Sequence, residues 1–455
     1  MTVSDHGPPG LAQPLHAWLP GQRWYAGKGR QITAVEVTSA ALLRVGDPEL
    51  HHIVVRVEAA DTTVDSYQLM IGLRRGLPER LEHAVIGEVD GGIAYDALQD
   101  TELTSVLLER LAEGATVEGV RFTPEAGARI DTSQTSRVSS AEQSNTSLVF
   151  GESSILKVFR KLSQGVNPDL EVHRALASVG CAHIAPPLGA IEGGAEGQQV
   201  TFAMLQEYVA NAADGWHMAT TSVRDLYAEG DLHADEVGGD FAGEARRLGI
   251  ATAEVHRDLA QALGSRQAGP EESRSTAQQM RDRLAAALSV VPVLLPYAEG
   301  LRAAYDEVAG LTEPVAVQRI HGDYHLGQAL RSMTGWVLLD FEGEPARPFA
   351  ERRAQMSPLR DVAGMLRSFD YAARHLLADR AGASQLEYRA NEWAERNRDA
   401  FCAGYADAAG EDPRKNATLL RAFELDKAVY EVVYEARNRP SWLSLPLGSI
   451  ARLAG

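Results

Sequence analysis

Apolar and polar residues alternate along the first part of the chain. This two-residue period runs through residues 32–58 and 66–72, and it is typical of strands in a sheet that has one face in water. A helical spacing of apolar residues then predicts a helix over 101–113, TELTSVLLERLAE. Residues 129–161 read as three strands separated by polar turns.

Long helical patterns dominate after about residue 205. They are interrupted only by short apolar stretches near 316–320 and 336–340, which predict strands. An N-terminal part rich in strands, a mixed middle part and a helical C-terminal part indicate an α+β protein of three pieces. We place these pieces at 1–95, 96–205 and 206–455.

Composition narrows the classes of partner. At 455 residues the chain is long enough for two or three domains. Its net charge of −18 argues against nucleic acid or an anionic membrane as the main partner. The N-terminus lacks a signal-peptide pattern, and no 18-residue apolar stretch predicts a membrane span. The distant Cys181 and Cys402 predict neither a disulfide nor a zinc site, so we expect a cytoplasmic protein.

The stretch VAVQRIHGDYHLGQALR, residues 315–331, concentrates side chains that move protons or bind metals. It carries Asp323 and Gln328, and the later strand WVLL delivers Asp340. We predict that two strands joined by a short turn bring these three side chains to one end of a hairpin. Carboxylate and amide oxygens suit Mg²⁺, and a nearby carboxylate can accept a substrate proton.

The spacing matches that of protein kinases. Their motif H-R-D-x-x-x-x-N places a nucleophile-orienting Asp five positions before a metal-binding Asn, and D-F-G follows. Here Asp323 precedes Gln328 by the same interval, and Asp340 opens the triplet DFE. The alternative interpretation, turn residues with helix caps, does not explain why both halves occur in order.

Phosphoryl transfer also needs a phosphate-binding loop and a lysine upstream. The polar turn AEQSNTSLVF (141–150) offers backbone and hydroxyl donors, although a plain polar loop would look similar. Lys157 lies in an apolar strand, where its ammonium needs an anion, and Glu171 is the expected partner; a snorkelling surface lysine is the alternative. The apolar strand that ends at residues 206–208 could contact the edge of an adenine base with its backbone. The alternative is an ordinary transition from strand to loop.

These segments together resemble a known group of enzymes. The order EQSNTS, LKVF, NPDLE, QEY, HGDYHLGQ, DFEGEP resembles the aminoglycoside phosphotransferase branch of the eukaryotic-like kinase superfamily. Four further segments resemble the actinobacterial maltokinases: QRWYAGK (22–28), NAADGWHMAT (211–220), YAEGDLHADEVGGDFAGE (227–244) and FELDKAVYEVVYEARNRPSWL (423–443).

The resemblance implies a bilobal kinase fold with an extra N-terminal β-rich cap domain and a mostly helical C-terminal lobe. It implies phosphorylation of maltose at its anomeric hydroxyl, with ATP and Mg²⁺, for glycogen-type α-glucan synthesis. We expect a monomer with a functional link to a trehalose-converting enzyme. Gly322 replaces the Arg of the protein-kinase motif and no A-P-E segment follows, which puts protein substrates in doubt.

The resemblance also assigns roles to residues. Asp323 is the catalytic base, and Gln328 and Asp340 hold magnesium. The nucleotide is expected to contact a phosphate loop at 142–147, the pair Lys157 and Glu171, and the linker: Gln143, Ser144, Asn145, Thr146, Ser147, Lys157, Glu171, Gln206, Glu207 and Tyr208. The sugar is expected to contact Asp323, His325, Asp426, Lys427, Tyr430 and Glu431, several of which share one helix face. A plain solvent-exposed helix face is the alternative for these last residues.

Other interpretations stay open at this point. A related kinase could act on another sugar such as glucosamine, whose ammonium would suit the carboxylate of Glu431 or Glu435. A nucleotide-binding regulatory subunit without activity is a second alternative, which the intact motif residues argue against. The aromatic pair Trp24 and Tyr25 either anchors the cap, so that its loss lowers stability, or forms a ligand surface, so that its loss alters kinetics.

Overall fold

The computed structural model describes residues 7–139, 144–194, 199–229, 232–345, 347–377 and 384–454. The chain divides into two compact units, Met1–Glu171 with Ala185–Ala210 and Val172–Ile184 with Asn211–Gly455. The first is rich in strands and the second is mainly helical, which confirms the α+β class. The three-piece boundaries at 95 and 205 stay a prediction.

Antiparallel sheets build the first unit. Its strands are β1 (Ile32–Arg44), β2 (Glu49–Ala59), β3 (Val64–Arg74), β4 (Val85–Val89), β5 (Gly92–Asp96), β6 (Thr116–Val117), β7 (Val120–Pro124), β8 (Ser136–Val138), β9 (Thr146–Phe150), β10 (Ser154–Val158), β11 (Lys161–Leu162), β12 (Pro187–Gly193) and β13 (Val200–Glu207). One sheet has the order β1-β2-β3-β5-β4, with β11 paired to β3. The other has the order β6-β7-β12-β13-β10-β9-β8.

Within its described residues, the α-helices that begin in the first unit are α1 (Ala12–Trp18), α2 (Thr101–Glu113) and α3 (Pro168–Ser178). The Asp100 carboxylate caps α2 by accepting from Glu102 N at 3.2 Å. Gly114 ends α2 with φ +68°, a conformation that suits glycine. The apolar stripe of α2 is buried, and the helix predicted at 101–113 is confirmed. The division between the units falls inside α3.

The N-terminal sheet has its own apolar core. Trp24 is 7% exposed and lies within 6.0 Å of the Tyr67 ring and 5.8 Å of the Trp18 ring. The buried Gln68 side chain on β3 donates to Phe159 O at 2.8 Å and to Phe202 O. Buried polar atoms need hydrogen-bond partners, and the Gln68 side chain finds them in these two carbonyl groups. Together with the pairing of β11 to β3, these bonds join the two sheets of the first unit.

Helices build most of the second unit: α4 (Gly215–Ala228), α5 (Ala242–Leu263), α6 (Pro270–Val290), α7 (Ala298–Ala309), α8 (Phe349–Arg352), α9 (Leu359–Arg374), α10 (Ser384–Ala409), α11 (Ala417–Asn438) and α12 (Ser444–Ala454). A large apolar core lies among them. In the part of the chain described, no helix combines the length and apolarity that crossing a membrane requires.

The short strands of the second unit pair differently from the sequence prediction. They are β14 (Ala213–Asp214), β15 (Ser265–Ala268), β16 (Val315–Gln318), β17 (Ala329–Arg331) and β18 (Trp336–Leu338). The predicted hairpin of the strands near 316–320 and 336–340 is wrong, because β16 pairs with β15 and β18 pairs with β17. The segment 329–331 is too short to show a strand period, so the sequence did not reveal it.

We predict that Trp24→Ala lowers the free energy of unfolding by about 3–5 kcal/mol, because it leaves a cavity in the core of the N-terminal sheet. Urea denaturation followed by tryptophan fluorescence or circular dichroism measures this change. Val45→Ala is the control, since Val45 is 77% exposed in the same region and should change stability by less than about 0.5 kcal/mol. Equal stability of the two variants would contradict the anchoring role of Trp24.

Candidate active site

Lys157 lies on β10, between the neighbouring strands β9 and β13. Its ammonium is 2.9 Å from Asp169 Oδ2, and the lysine side chain is only 10% exposed. Asp169 is in the first turn of α3, where its backbone N–H donates to Asn167 Oδ1 at 2.8 Å. The sequence NPD therefore starts the helix and places a carboxylate beside the lysine.

No sequence motif indicated Asp169. The only sequence signal was an acidic residue in the first turn of a helix, two positions before Glu171. The predicted pairing of Lys157 with Glu171 stays a prediction. The buried ion pair with Asp169 explains how an apolar strand accommodates Lys157, because a buried ammonium without an anion is costly.

The predicted phosphate loop is described from Ser144 onward, and Gln143 lies outside the described residues. Thr146 and Ser147 begin β9, where Ser147 faces Lys157 in the strand register. Asn145, Thr146 and Ser147 are buried, and Thr146 Oγ1 accepts from Arg160 Nε at 2.8 Å. We call Ser144–Ser147 the phosphate segment; its proposed contact with nucleotide stays a prediction.

The predicted linker residues lie at the end of β13. Gln206 and Glu207 pair with Ile155 and Ser154 of β10, and Tyr208 N donates to Ser153 O at 3.0 Å. The Tyr208 hydroxyl accepts from Arg137 Nη2 at 3.3 Å. The segment thus lies beside the strand that carries Lys157, and its adenine contact remains a prediction.

In the second unit, the loop that carries Asp323 follows β16. Gly322 has φ +83°, which a residue with a Cβ adopts only with strain. His321 Nε2 donates to Leu339 O at 2.8 Å, and its ring lies 4.8 Å from the Phe341 ring and 5.1 Å from the Tyr324 ring. These contacts join the loop to the DFE triplet that follows β18.

The backbone of this loop is hydrogen-bonded to one face of α9. Asp361 accepts from His321 N at 2.8 Å, from Gly322 N at 2.9 Å and from His256 Nε2 at 3.0 Å. One turn on, a Cβ at Gly364 would come within 2.5 Å of Tyr324 O. A further turn on, Ser368 Oγ accepts from Leu326 N at 3.0 Å. The spacing 361, 364 and 368 is one helix face.

No sequence motif indicated Asp361 either. It is buried, and although burial opposes its charge, the bonds from His256 and the loop lower its pKa below the ordinary value. Its sequence signal was an acidic residue in the first turn of a predicted helix, which is usually a simple cap. Nothing in the spacing indicated that this carboxylate accepts from the loop of Asp323.

Lys427 of α11 pairs with Asp323. Its ammonium is 2.9 Å from Asp323 Oδ1 and 2.8 Å from Glu344 Oε1. Burial opposes the charge of Lys427, yet the two carboxylates raise its pKa well above the ordinary value. Burial also opposes the charge of Glu344, but Lys427 and Arg347 lower the pKa of Glu344 to about 2. Lys427 and Glu344 are therefore both charged near neutral pH.

Side chains that could bind a metal come together around Asp340. Gln328 Nε2 donates to Asp340 Oδ2 at 3.2 Å, and carboxylate oxygens of Asp340 and Glu342 lie within 4.8 Å of each other. Asp340 has φ +61°, a left-handed conformation that Asp tolerates better than most residues. A set made of two carboxylates and one amide fits Mg²⁺, which prefers hard oxygen ligands.

The other predicted sugar contacts have varied surroundings. His325 Nδ1 accepts from Gly327 N at 3.1 Å, and burial lowers the pKa of His325. Asp426 receives two bonds from Arg283, at 2.9 and 2.8 Å, and Glu431 Oε2 receives two from Arg367, at 3.1 and 2.6 Å. The Tyr430 ring lies 4.8 Å from the Lys427 ammonium. Sugar contact stays a prediction for all of them.

Comparison with known proteins adds independent evidence. Residues 18–100 match the family model described as the maltokinase N-terminal cap domain. A glucosamine kinase of Streptacidiphilus jiangxiensis is 28% identical, covering 89% of each chain. A glucosamine kinase of Mycolicibacterium smegmatis is 27% identical, covering 71% of this chain and 80% of the relative.

Solved structures show the same fold. A glucosamine kinase in complex with glucosamine, ADP and inorganic phosphate is 23% identical, with a TM-score of 0.69 and coverage of 98% of this chain and 100% of that chain. Crystal form B of a glucosamine kinase gives a TM-score of 0.72, with 23% identity and coverage of 98% and 99%. The chain is a sugar-kinase-like phosphotransferase. The prediction of an enzyme that phosphorylates an alcohol group is confirmed.

The lowered pKa of Glu344 gives this phosphotransferase a testable pH dependence. Its pKa falls from 4.5 to about 2 on folding, so its charge stabilises the fold above pH 4.5 and this contribution disappears as the pH falls toward 2. We predict that the free energy of unfolding of Glu344→Gln is up to roughly 3 kcal/mol below that of wild type at pH 7. This difference should shrink below pH 4.5.

Urea denaturation at pH 7, 5, 4 and 3 measures this difference. Glu271→Gln serves as the control, because Glu271 is 93% exposed and its replacement should change stability little at any pH. A Glu344→Gln difference that stays constant between pH 7 and 3 would contradict the assignment.

Proposed function

We propose that this enzyme transfers the terminal phosphoryl group of ATP to the anomeric hydroxyl of maltose, in a reaction that requires Mg²⁺. The product, maltose 1-phosphate, would serve α-glucan synthesis. Two observations support an enzyme of this kind: the match of residues 18–100 to the maltokinase cap and the four maltokinase-like segments of the sequence. The choice of maltose as the acceptor rests on the pairing of Asp323 with Lys427.

In this proposal Asp323 orients the acceptor hydroxyl and takes its proton as the phosphoryl group transfers. Gln328, Asp340 and Glu342 would hold Mg²⁺, which when bound neutralises charge that develops on the phosphate oxygens. Lys157 and the phosphate segment would contact phosphates, and residues 206–208 would contact the adenine. The bonds from α9 fix the backbone of the Asp323 loop, so the carboxylate is oriented before the acceptor binds.

The charges around Asp323 favour a neutral acceptor. Apart from Asp323 itself, the carboxylates that line its cavity are Glu344 and Asp361. Glu344 accepts from Lys427 and from Arg347 Nε at 2.6 Å, while Asp361 accepts from two amides and His256. An ammonium group on the sugar would therefore meet the Lys427 cation without gaining a carboxylate of its own, and like charges repel.

The carboxylates farther along α11 are occupied as well. Glu431 is paired with Arg367, and Glu435 receives bonds from Arg439 at 2.9 and 2.7 Å. The stacked rings of Tyr430 and Tyr434, with centroids 6.4 Å apart, offer apolar faces of the kind that sugar rings contact. A neutral disaccharide suits this combination of paired charges and aromatic faces.

A second candidate acceptor is an amino sugar. The curated relatives at 27–28% identity are named glucosamine kinases. Asp323 could turn from Lys427 toward an ammonium group without releasing another cation, whereas Glu344 would also release Arg347. Direct comparison of acceptors decides between the two candidates.

We predict that, with ATP and Mg²⁺, the purified enzyme turns over maltose with a kcat/KM at least about tenfold above that for glucosamine or glucose. A coupled assay of ADP release gives the rates, and phosphorus NMR of the product identifies the linkage by coupling to an anomeric proton. Faster turnover of glucosamine than of maltose would contradict maltose as the acceptor and would support an amino sugar instead. Absence of turnover with every sugar would contradict the kinase assignment itself.

We also predict that Asp323→Asn lowers kcat by about 10²–10⁴-fold, because the variant lacks the general base. Affinity for ATP should stay within about twofold, since Asp323 acts on the acceptor. Steady-state kinetics and calorimetric titration with a nonhydrolysable ATP analogue measure the two quantities. Asp306→Asn is the control, since Asp306 is 64% exposed and pairs with Arg281 on the surface. Retention of more than a few per cent of kcat would rule out Asp323 as the base.

A further inference from the structure

The guanidinium of Arg160 is buried within the first unit. Arg160 follows β10 by two positions and is 1% exposed. Its Nη2 donates to Asp96 Oδ2 at 2.6 Å, and its Nε donates to Thr146 Oγ1 at 2.8 Å. Its Cζ lies 4.7 Å from the centre of the Trp24 ring. A buried cation with one carboxylate, one hydroxyl and one aromatic face is held in a defined position.

These partners come from two parts of the first unit. Asp96 and Trp24 belong to residues 18–100, which match the cap model. Thr146 is the first residue of β9 and lies in the phosphate segment, directly next to Ser147, which faces Lys157 in the register. The Arg160 guanidinium therefore contacts the cap through Nη2 and through its approach to the Trp24 ring. It contacts the phosphate segment through Nε.

Asp96 provides the negative charge for this arrangement. Its carboxylate also accepts from Leu98 N at 3.2 Å, so the cap backbone fixes the orientation of Asp96. Loss of that charge leaves the buried guanidinium with no carboxylate at this position, and a buried cation in that state shifts toward water or toward another acceptor. Thr146 would then lose the bond from Arg160 Nε that fixes its hydroxyl.

We propose that Arg160 is a positioning residue through which the cap fixes the phosphate segment for binding the nucleotide phosphates. The proposal rests on the proposed function, because it assumes that Ser144–Ser147 contact phosphate. Groups that bind phosphate must be positioned before the ligand arrives, and each freed rotor weakens binding. Disturbing Arg160 from the cap side therefore weakens nucleotide binding while leaving acceptor binding unchanged.

A neighbouring ion pair provides a matched control. Lys161 Nζ lies 2.7 Å from Asp65 Oδ1, joining β11 to β3 one position after Arg160. Asp65 and Asp96 thus both belong to the cap and pair with adjacent basic residues. Only the pair of Asp96 includes a cation that also contacts the phosphate segment, so Asp65→Asn and Asp96→Asn differ in that contact.

The experiment compares Asp96→Asn, Thr146→Val and Asp65→Asn with wild type. Calorimetric titration gives the Kd for ADP, steady-state kinetics give KM for ATP and for maltose, and a thermal melt gives Tm. We expect Asp96→Asn and Thr146→Val to raise the Kd for ADP about fivefold, the effect of losing one net hydrogen bond. KM for maltose should stay within about twofold for all three variants, and Asp65→Asn should leave the ADP affinity near wild type.

Two further variants separate positioning from general stability. Thr146→Ser keeps the hydroxyl and should restore ADP affinity to within about twofold of wild type. The double variant Asp96→Asn/Thr146→Val should weaken ADP binding no more than the stronger single variant, because both act through Arg160. A lowered Tm with unchanged ADP affinity in Asp96→Asn, or an equal loss of affinity in Asp65→Asn, would overturn the proposal. Wild-type protein that binds no ADP would overturn the proposed function and this inference with it.

Discussion

The geometry of the Asp323 loop depends on one buried carboxylate, that of Asp361. Two consecutive backbone N–H groups, those of His321 and Gly322, converge on it, and His256 supplies a third donor. Hydrogen bonds to a charged acceptor contribute about 1.5–3 kcal/mol each. They are strong enough to keep Gly322 in its left-handed conformation, which turns the chain so that Asp323 leaves the loop toward Lys427.

The charges then form a connected network around Asp323. Lys427 joins Asp323 to Glu344, Glu344 accepts from Arg347, and Arg360 lies 3.4 Å from Asp426 and 4.0 Å from Glu344. Asp426 in turn binds Arg283. Because each buried carboxylate of this network has a cationic partner, a neutral acceptor can enter without leaving a charge unpaired. The electrostatics of the network, more than the fold, therefore support a neutral sugar.

Much of this arrangement was predictable from local patterns. Helix α2 follows from its apolar spacing and its Asp100 cap, and Asp323, Gln328 and Asp340 follow from a motif whose spacing the chemistry requires. The partner of β18 was not predictable, since three-residue strands carry no period. Asp169 and Asp361 were missed because an acidic residue in the first turn of a helix is common, and its tertiary partner depends on chain segments far away in the sequence. The arginine partners of Asp426 and Glu431 were hidden for the same reason.

In the function proposed above, the Lys427 cation beside Asp323 selects a neutral sugar over an amino sugar. The most direct test is the ratio of kcat/KM for maltose to kcat/KM for glucosamine in Lys427→Met and in wild type. Without the lysine, Asp323 and Glu344 lack their shared cation, and the ammonium of glucosamine can take its place. We expect the ratio to fall by about tenfold or more, equivalent to about 1.4 kcal/mol. A ratio that is unchanged, or one that rises, would contradict it.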